Sequence, residues 1–265
     1  MISSSLTPVH MTLCGKGGVG KSVIARMLTE YLTDRFEPPL AFDTDPVNSS
    51  FAAVKALDAA RINLIDDDQK INASRFDEMV LSIIEAGRPV VIDTGASSYV
   101  ALLNYMRELR LARTFREEGF ELFLHVPIAG GPSMAFTLEN FQSVCANHGD
   151  SASIVVWLNH YWEKIQNKDG AEFADWPVVQ EHRHAIKAFI SIQRMSSDTS
   201  SADFSALLTE NVTFAEAFTS GSSFHLLSKS RLRVIRETLF DCMDGALEGT
   251  DLGPNFAAMK AEVAN

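Results

Sequence analysis

Short runs of continuously apolar residues alternate along the chain with longer stretches in which apolar positions recur every three to four residues. The runs at Val9–Cys14, Pro39–Phe42, Pro89–Ile92, Phe120–Val126, Ser153–Leu158 and Ala188–Gln193 predict strands. Several lack any in–out alternation, as strands covered on both faces do. After the first run, Ile24, Met27, Leu28, Tyr31 and Leu32 fall on one helical stripe. Ser74–Ala86 repeats the pattern with Phe76, Met79, Val80, Ile83 and Ile84, and stops at Gly87. Further helices are predicted over Tyr99–Arg113 and Leu226–Leu247, the last with Leu232, Ile235, Leu239 and Met243 on one face. Strand–helix alternation of this kind predicts an α/β fold, a mostly parallel twisted sheet covered by helices on both faces, in a single domain over 1–265. The Ser-rich stretch Met195–Asp203 predicts an exposed loop.

Composition narrows the function classes. With 46% hydrophobic and 22% charged residues over 265 positions, a sizeable core is available. Lys plus Arg number 23 against 34 Asp plus Glu, a net charge of -11. That argues against whole-surface nucleic-acid binding, while leaving room for a local basic patch. The three cysteines, Cys14, Cys145 and Cys242, form no CxxC pair, so neither a zinc or iron–sulfur scaffold nor a disulfide framework is expected. No apolar run reaches 18 residues, and MISSSLTPVH has neither the basic nor the apolar region of a secretory signal. The expectation is a cytoplasmic chain with no integral membrane segment.

The sharpest chemical signal is Gly15-Lys16-Gly17-Gly18-Val19-Gly20-Lys21-Ser22. It fits GxxxxGK[ST], with a strand before it and an amphipathic helix after it. Glycines let backbone N–H groups turn inward around a phosphate, and the following helix adds its N-terminal dipole. Lys21 can reach β/γ-phosphate oxygens, and the Ser22 hydroxyl can coordinate Mg²⁺. An asparagine, Asn159, ends the strand run Val155–Leu158. Its amide can pair with adenine N6 and N7, and the Asn-Lys-x-Asp pattern that reads guanine is absent, so ATP is the expected nucleotide.

A lysine directly after the first glycine is not needed by a generic phosphate loop. With it, GKGGVGKS resembles the deviant Walker A signature of the ParA/MinD family of ATPases. The resemblance implies that Lys16 crosses a dimer interface to the partner's nucleotide. It also implies that Phe42-Asp43-Thr44-Asp45-Pro46 is a switch I segment, with Asp45 facing the attacking water. Asp43 would stand beside the metal. Val90-Val91-Ile92-Asp93-Thr94-Gly95 is similar to a Walker B strand, with Asp93 on the Mg²⁺ shell and Gly95 opening switch II. The segment Glu210–Ala217 resembles one that usually carries Pro and Arg where this chain has Thr209 and Glu210. The stretches Met11–Ser22, Asp43–Leu57, Leu207–Phe218 and Ser228–Phe240 resemble the ParA-like proteins of bacterial conjugal transfer systems. That resemblance implies a Mg²⁺-dependent, ATP-hydrolysing dimerisation switch that works with components of a DNA transfer apparatus. Other functions on the same fold are a partition or positioning ATPase with nonspecific DNA binding, a slowly hydrolysing docking module, and a small-molecule kinase or ligase.

Lys229, Arg231, Arg233 and Arg236 form the one local basic cluster, readable as a solvated helix face or as a nonspecific DNA patch. His182 and His184, at i and i+2, would point apart and are not expected to share a metal. Asp66-Asp67-Asp68 reads as an exposed acidic loop, Trp157, Trp162 and Trp176 as core or rim, and Cys14 as a small buried strand residue. Asp251–Asn265 has only Lys260 as a cation, too few for a basic membrane anchor.

Overall fold

Each return between parallel strands needs a long crossover, and the amphipathic stretches between the apolar runs supply it. The structure is a computed structural model and describes residues 6–248 apart from 67, 69, 162, 168, 196 and 197. Its strands are β1 (Thr7–Thr12), β2 (Leu40–Asp43), β3 (Ala60–Arg61), β4 (Val90–Asp93), β5 (Phe120–Ala129), β6 (Ser153–Asn159) and β7 (Ile186–Ile192). They form one sheet in the order β3-β2-β4-β1-β5-β6-β7, and every pairing in it is parallel.

The helices are α1 (Lys21–Arg35), α2 (Ala73–Ala86), α3 (Tyr99–Glu108), α4 (Leu111–Glu117), α5 (Met134–His148), α6 (Pro177–Glu181), α7 (Asp198–Thr209), α8 (Phe214–Ala217) and α9 (Leu226–Glu248). Alternate strand residues feed two cores. Val9, Met11, Val90, Ile92 and Leu124 pack with Phe76, Leu102 and Phe141 of α2, α3 and α5. Val91, Phe123, Val155 and Trp157 pack with Ile24, Leu207, Leu232 and Leu239 of α1, α7 and α9. Both faces of the sheet are therefore covered, which accounts for the continuous apolar runs.

Four details differ from the pattern read along the chain. The stretch expected as one helix over Tyr99–Arg113 breaks at Arg110, whose backbone is left-handed (φ 49), so α4 starts afresh at Leu111. The stretch expected as a loop, Met195–Asp203, holds the start of α7 at Asp198, and the apolar anchors Phe204 and Leu207 come only in the second half of that helix. α5 gave no apolar period because Thr137, Asn140 and His148 are polar yet buried. β3 is a two-residue edge strand with both residues exposed. Trp162, Asp67 and the 251–265 tail lie outside the described residues.

Two buried polar devices brace the face that carries α1. His10, His125 and Trp157, on three adjacent strands, form a hydrogen-bonded chain. Trp157 Nε1 donates to His125 Nδ1 at 2.8 Å, and His125 Nε2 lies 2.9 Å from His10 Nδ1. Indole can only donate, so His125 carries its proton on Nε2 and gives it to His10. Both rings are neutral: burial lowers the His10 pKa to about 3, and burial followed by the His10 charge holds His125 well below its ordinary value. The second device is the ion pair Arg26–Glu30 inside α1, with both side chains buried. Arg26 also donates to the carbonyls of Leu207 and Val212, and Glu30 Oε2 accepts from Phe214 N at 2.7 Å. The helix leaving the phosphate loop is thereby tied to the α7–α8 junction.

Removing one member of a buried, hydrogen-bonded ion pair costs about 3–5 kcal/mol. Arg26→Ala is expected to lose stability on that scale in urea unfolding, and a loss under 1 kcal/mol would refute the bracing role. His10 stays neutral when folded but protonates near pH 6.5 when unfolded, so its contribution is complete above pH 6.5 and falls as pH drops toward 3. The unfolding free energy of wild type minus that of His10→Phe is therefore expected to shrink by about 1.4 kcal/mol per pH unit between pH 6 and 4. A pH-independent difference would contradict this assignment.

Candidate nucleotide-binding site

The loop from Gly15 to Gly20 joins β1 to α1 at the carboxyl end of the sheet, the edge where open parallel sheets bind ligands. It has no ladder of its own, so neighbouring side chains hold it. Asn140 of α5 accepts from Gly15 N at 3.2 Å and donates to Leu13 O at 3.4 Å. Asn159 at the end of β6 donates to Val19 O at 3.1 Å. Lys21 Nζ, nearly buried, reaches back across the loop to Lys16 O at 3.0 Å. Gly20 has φ 104, and a Cβ there would stand 2.9 Å from the Asn159 amide nitrogen, so glycine is required twice over. It offers no side-chain cap to α1, which leaves the first-turn N–H groups without a side-chain acceptor. The result is a cavity of about 430 Å³ between Gly17–Val23, the Asp45–Ser50 loop and Ala96–Ser97.

The acidic residues meet beside this cavity. Asp93 is fully buried at the end of β4. Its Oδ1 accepts from Thr12 Oγ1 at 2.8 Å, its Oδ2 has no hydrogen-bond partner, and the Ser22 hydroxyl lies next to it. Burial raises its pKa to about 6, and the Asp43 charge adds to the rise. A divalent cation fits here: it would satisfy the orphaned Oδ2 with Ser22 alongside, and would favour the ionised carboxylate.

Asp43, also buried, uses both oxygens on backbone. Oδ1 accepts from Asp45 N at 3.1 Å and Oδ2 from Ala52 N at 2.9 Å, which closes the loop after β2. Burial raises its pKa too. Asp45 lines the cavity, and its Oδ1 accepts from Val47 N and Asn48 N at 2.9 and 3.0 Å, an Asx turn. Gly95 lets the two switch segments touch, since a Cβ there would stand 3.0 Å from both Asp45 and Pro46.

The remaining residues singled out in the sequence are placed as follows. The Asn159 amide faces the phosphate loop, and its Oδ1 accepts from Tyr161 N at 3.1 Å. Lys16 does not enter its own loop's cavity; its ammonium lies 5.5 Å from the centre of the half-exposed Phe136 ring. Thr209 and Glu210 are exposed at the end of α7 and do not line the cavity. The four cations of α9 are all engaged within the chain: Lys229 with Thr219 O, Arg231 with Asp203, Arg236 with Asp34, and Arg233 over Phe218 at 5.0 Å. Arg231 and Arg236 are thus neutralised by carboxylates, whereas Lys229 and Arg233 keep their charge. Asn140 was not recognised in the sequence, because its partners Leu13 and Gly15 lie more than a hundred residues away.

Among the described residues no helix is long and apolar enough to cross a membrane. A glycine loop between the first strand and first helix of a parallel sheet, with an acid ending the neighbouring strand, is the architecture of P-loop NTPases. No protein-family profile matches the chain. The MinC:MinD cell division protein complex of Aquifex aeolicus matches it at a TM-score of 0.47 and 12% identity, over 90% of this chain and 96% of that one. Two proteins of Escherichia coli, each named Protein TraL, are 36% and 34% identical to it over 241 residues, which is 91% of this chain and 99% of each relative. With identity of that order along nearly the whole of both sequences, the chain belongs to the TraL family.

Proposed function

We propose that this chain is a Mg²⁺-dependent ATP-binding and ATP-hydrolysing dimerisation switch that serves conjugal DNA transfer. The observation that carries the reading is the cavity itself. Gly17, Gly18, Gly20, Lys21 and Ser22 line it, and an orphaned carboxylate oxygen of Asp93 lies buried beside it. In this reading Gly15, Gly17, Gly18, Val19 and Gly20 cradle the phosphates by backbone, and Lys21 leaves Lys16 O for the β/γ oxygens. Ser22 and Asp93 hold Mg²⁺, which when bound screens phosphate charge. Asp43 keeps the switch loop in register beside them. Asp45 orients the attacking water once its Asx turn opens, and Asn159 holds the loop while meeting the adenine edge. Lys16, parked outside its own site, supplies its charge to a second copy. Membership of the TraL family supports the link to conjugation.

One observation favours a second reading. Asp45, at the cavity, has its Oδ1 occupied by two backbone N–H groups, which leaves that oxygen engaged in a turn and not turned to a water. A slowly hydrolysing docking module would keep it so.

Lys21→Ala is expected to weaken nucleotide binding by at least ~1.5 kcal/mol, about tenfold, in calorimetric titration. Unchanged affinity would remove the phosphate site.

Light scattering in ATP and in ADP separates the roles of the other two residues. Asp45→Ala should stay dimeric in ATP and stop turning over, whereas Lys16→Ala should bind nucleotide as a monomer and fail to dimerise. A Lys16→Ala protein that dimerises like wild type defeats the switch, and an Asp45→Ala protein with wild-type turnover defeats the assignment of Asp45. Wild-type dimerisation in ATP without measurable turnover would establish the docking module instead.

A further inference from the structure

At the opposite end of the sheet from the phosphate loop, α3 and α5 leave a groove between their carboxyl ends. A cavity of about 380 Å³ is lined there by Met106, Leu111 and Leu122 as an apolar floor, with Arg107, Arg110 and Arg113 around it. A second cavity of about 150 Å³ continues between the helices to Tyr99, and Arg107, Asn147 and His148 line both. Tyr99 closes this far end, and its ring packs on Gly15 of the phosphate loop.

Three observations mark the groove as a binding site. First, no carboxylate lines either cavity, although acids outnumber bases along the chain. Second, its arginines are poorly neutralised. Arg113 pairs with Glu117 at 2.8 Å, but among the described residues Arg107 and Arg110 have no ion-pair partner, and Arg107 has only a 3.4 Å contact to Asn104. The break that starts α4 at Arg110, in a left-handed conformation an arginine rarely adopts, places this second guanidinium at the groove. Third, His148 is 6% exposed, lines both cavities, and its Nε2 is buried with no hydrogen-bond partner. An unpaired buried ring nitrogen is costly, and a ligand atom in the groove would satisfy it.

We propose that this groove binds a small amphiphilic anion, one phosphate or carboxylate group on an apolar body, with Arg107 and Arg110 on the anionic group and His148 as the buried hydrogen-bonding contact. Guanidinium groups fit both oxyanions through paired N–H donors, and the volume suits a compact ligand. The groove uses none of the residues assigned to ATP.

The test titrates full-length protein with phenyl phosphate and with benzoate while the His148 ring signals are followed by NMR. A saturable shift of His148 is expected with at least one of the two probes, and whichever binds more tightly identifies the headgroup. Inorganic phosphate should bind at least tenfold more weakly than phenyl phosphate, because it leaves the apolar floor uncovered. Arg107→Gln and Arg110→Gln, both at exposed positions, should each weaken binding about tenfold, the scale of one charge-assisted hydrogen bond. Lys21→Ala should leave it unchanged. The proposal is overturned if neither probe shifts His148 up to about 10 mM, if the double arginine variant binds like wild type, or if Lys21→Ala abolishes the shift, which would place the probe in the phosphate loop. Each outcome is read without nucleotide turnover, so failure of the ATP switch leaves this test intact.

Discussion

A phosphate loop must hold a run of backbone N–H groups pointing into a space it does not fill, and that constraint organises the rest of the molecule. Residues 15–20 cannot use a ladder or a helix for support, because the donors that would make such bonds are those a phosphate needs. Their shape is therefore imposed from outside. Asn140 grips the entry, Asn159 grips Val19, and Tyr99 packs on Gly15. Lys21 spans the loop through its bond to Lys16 O. The three external supports come from α5, β6 and the start of α3, so the loop reports on the packing of three separate elements.

The same logic explains why so many polar groups are buried on the face beneath α1. Thr12 links β1 to Asp93 of β4, and Thr44 Oγ1 and Thr94 Oγ1 bond across to the main chain of Asp93 and Thr12. These threonines tie three strand ends together beside the buried acids Asp43 and Asp93. Behind them the His10–His125–Trp157 chain and the Arg26–Glu30 pair fix β1, β5, β6 and α1 where ordinary apolar packing would allow small slides. Such networks are costly when incomplete, and they select one arrangement over its neighbours.

How much of this was legible in the sequence follows from how local each signal is. The loop motif, its strand and its helix were readable because glycine, lysine and serine act there at fixed spacing. Asp43 and Asp93 were readable because each ends a recognisable apolar run, whereas Asp45 stood out only through the family resemblance of the segment around it. α5 was hidden because its inward face carries Thr137 and Asn140, chosen for hydrogen bonds to Ala129 and Gly15 and not for hydrophobicity. Arg26 and Glu30 look like any exposed i, i+4 pair in sequence, and only the packing of α7 and α8 across them makes them buried. The basic cluster on α9 was only half legible: Asp203 and Asp34, which neutralise Arg231 and Arg236, come from other segments, while Lys229 and Arg233 meet only a carbonyl and a ring and keep their charge.

Exposed apolar side chains lie at the carboxyl end of the sheet, where the phosphate cavity opens. Val47 on the loop after β2 and Val100 in the first turn of α3 are about two-thirds exposed, and Phe136 is 42% exposed at the start of α5. Lys16 rests against that ring, an interaction worth only about 0.5–1 kcal/mol at an exposed site. A triphosphate carries three to four negative charges, and in the proposed reading one copy meets them with Lys21, its backbone dipoles and the Mg²⁺ it would hold. The weak hold on Lys16 is then a physical feature with a consequence. A nucleotide presented by a second copy would outcompete an aromatic ring for that ammonium by electrostatics alone, whereas in an isolated chain the ring keeps the ammonium out of its own cavity. In the proposed switch the lightly tethered Lys16 is what would make association depend on bound nucleotide, while the exposed apolar side chains would favour it with or without one.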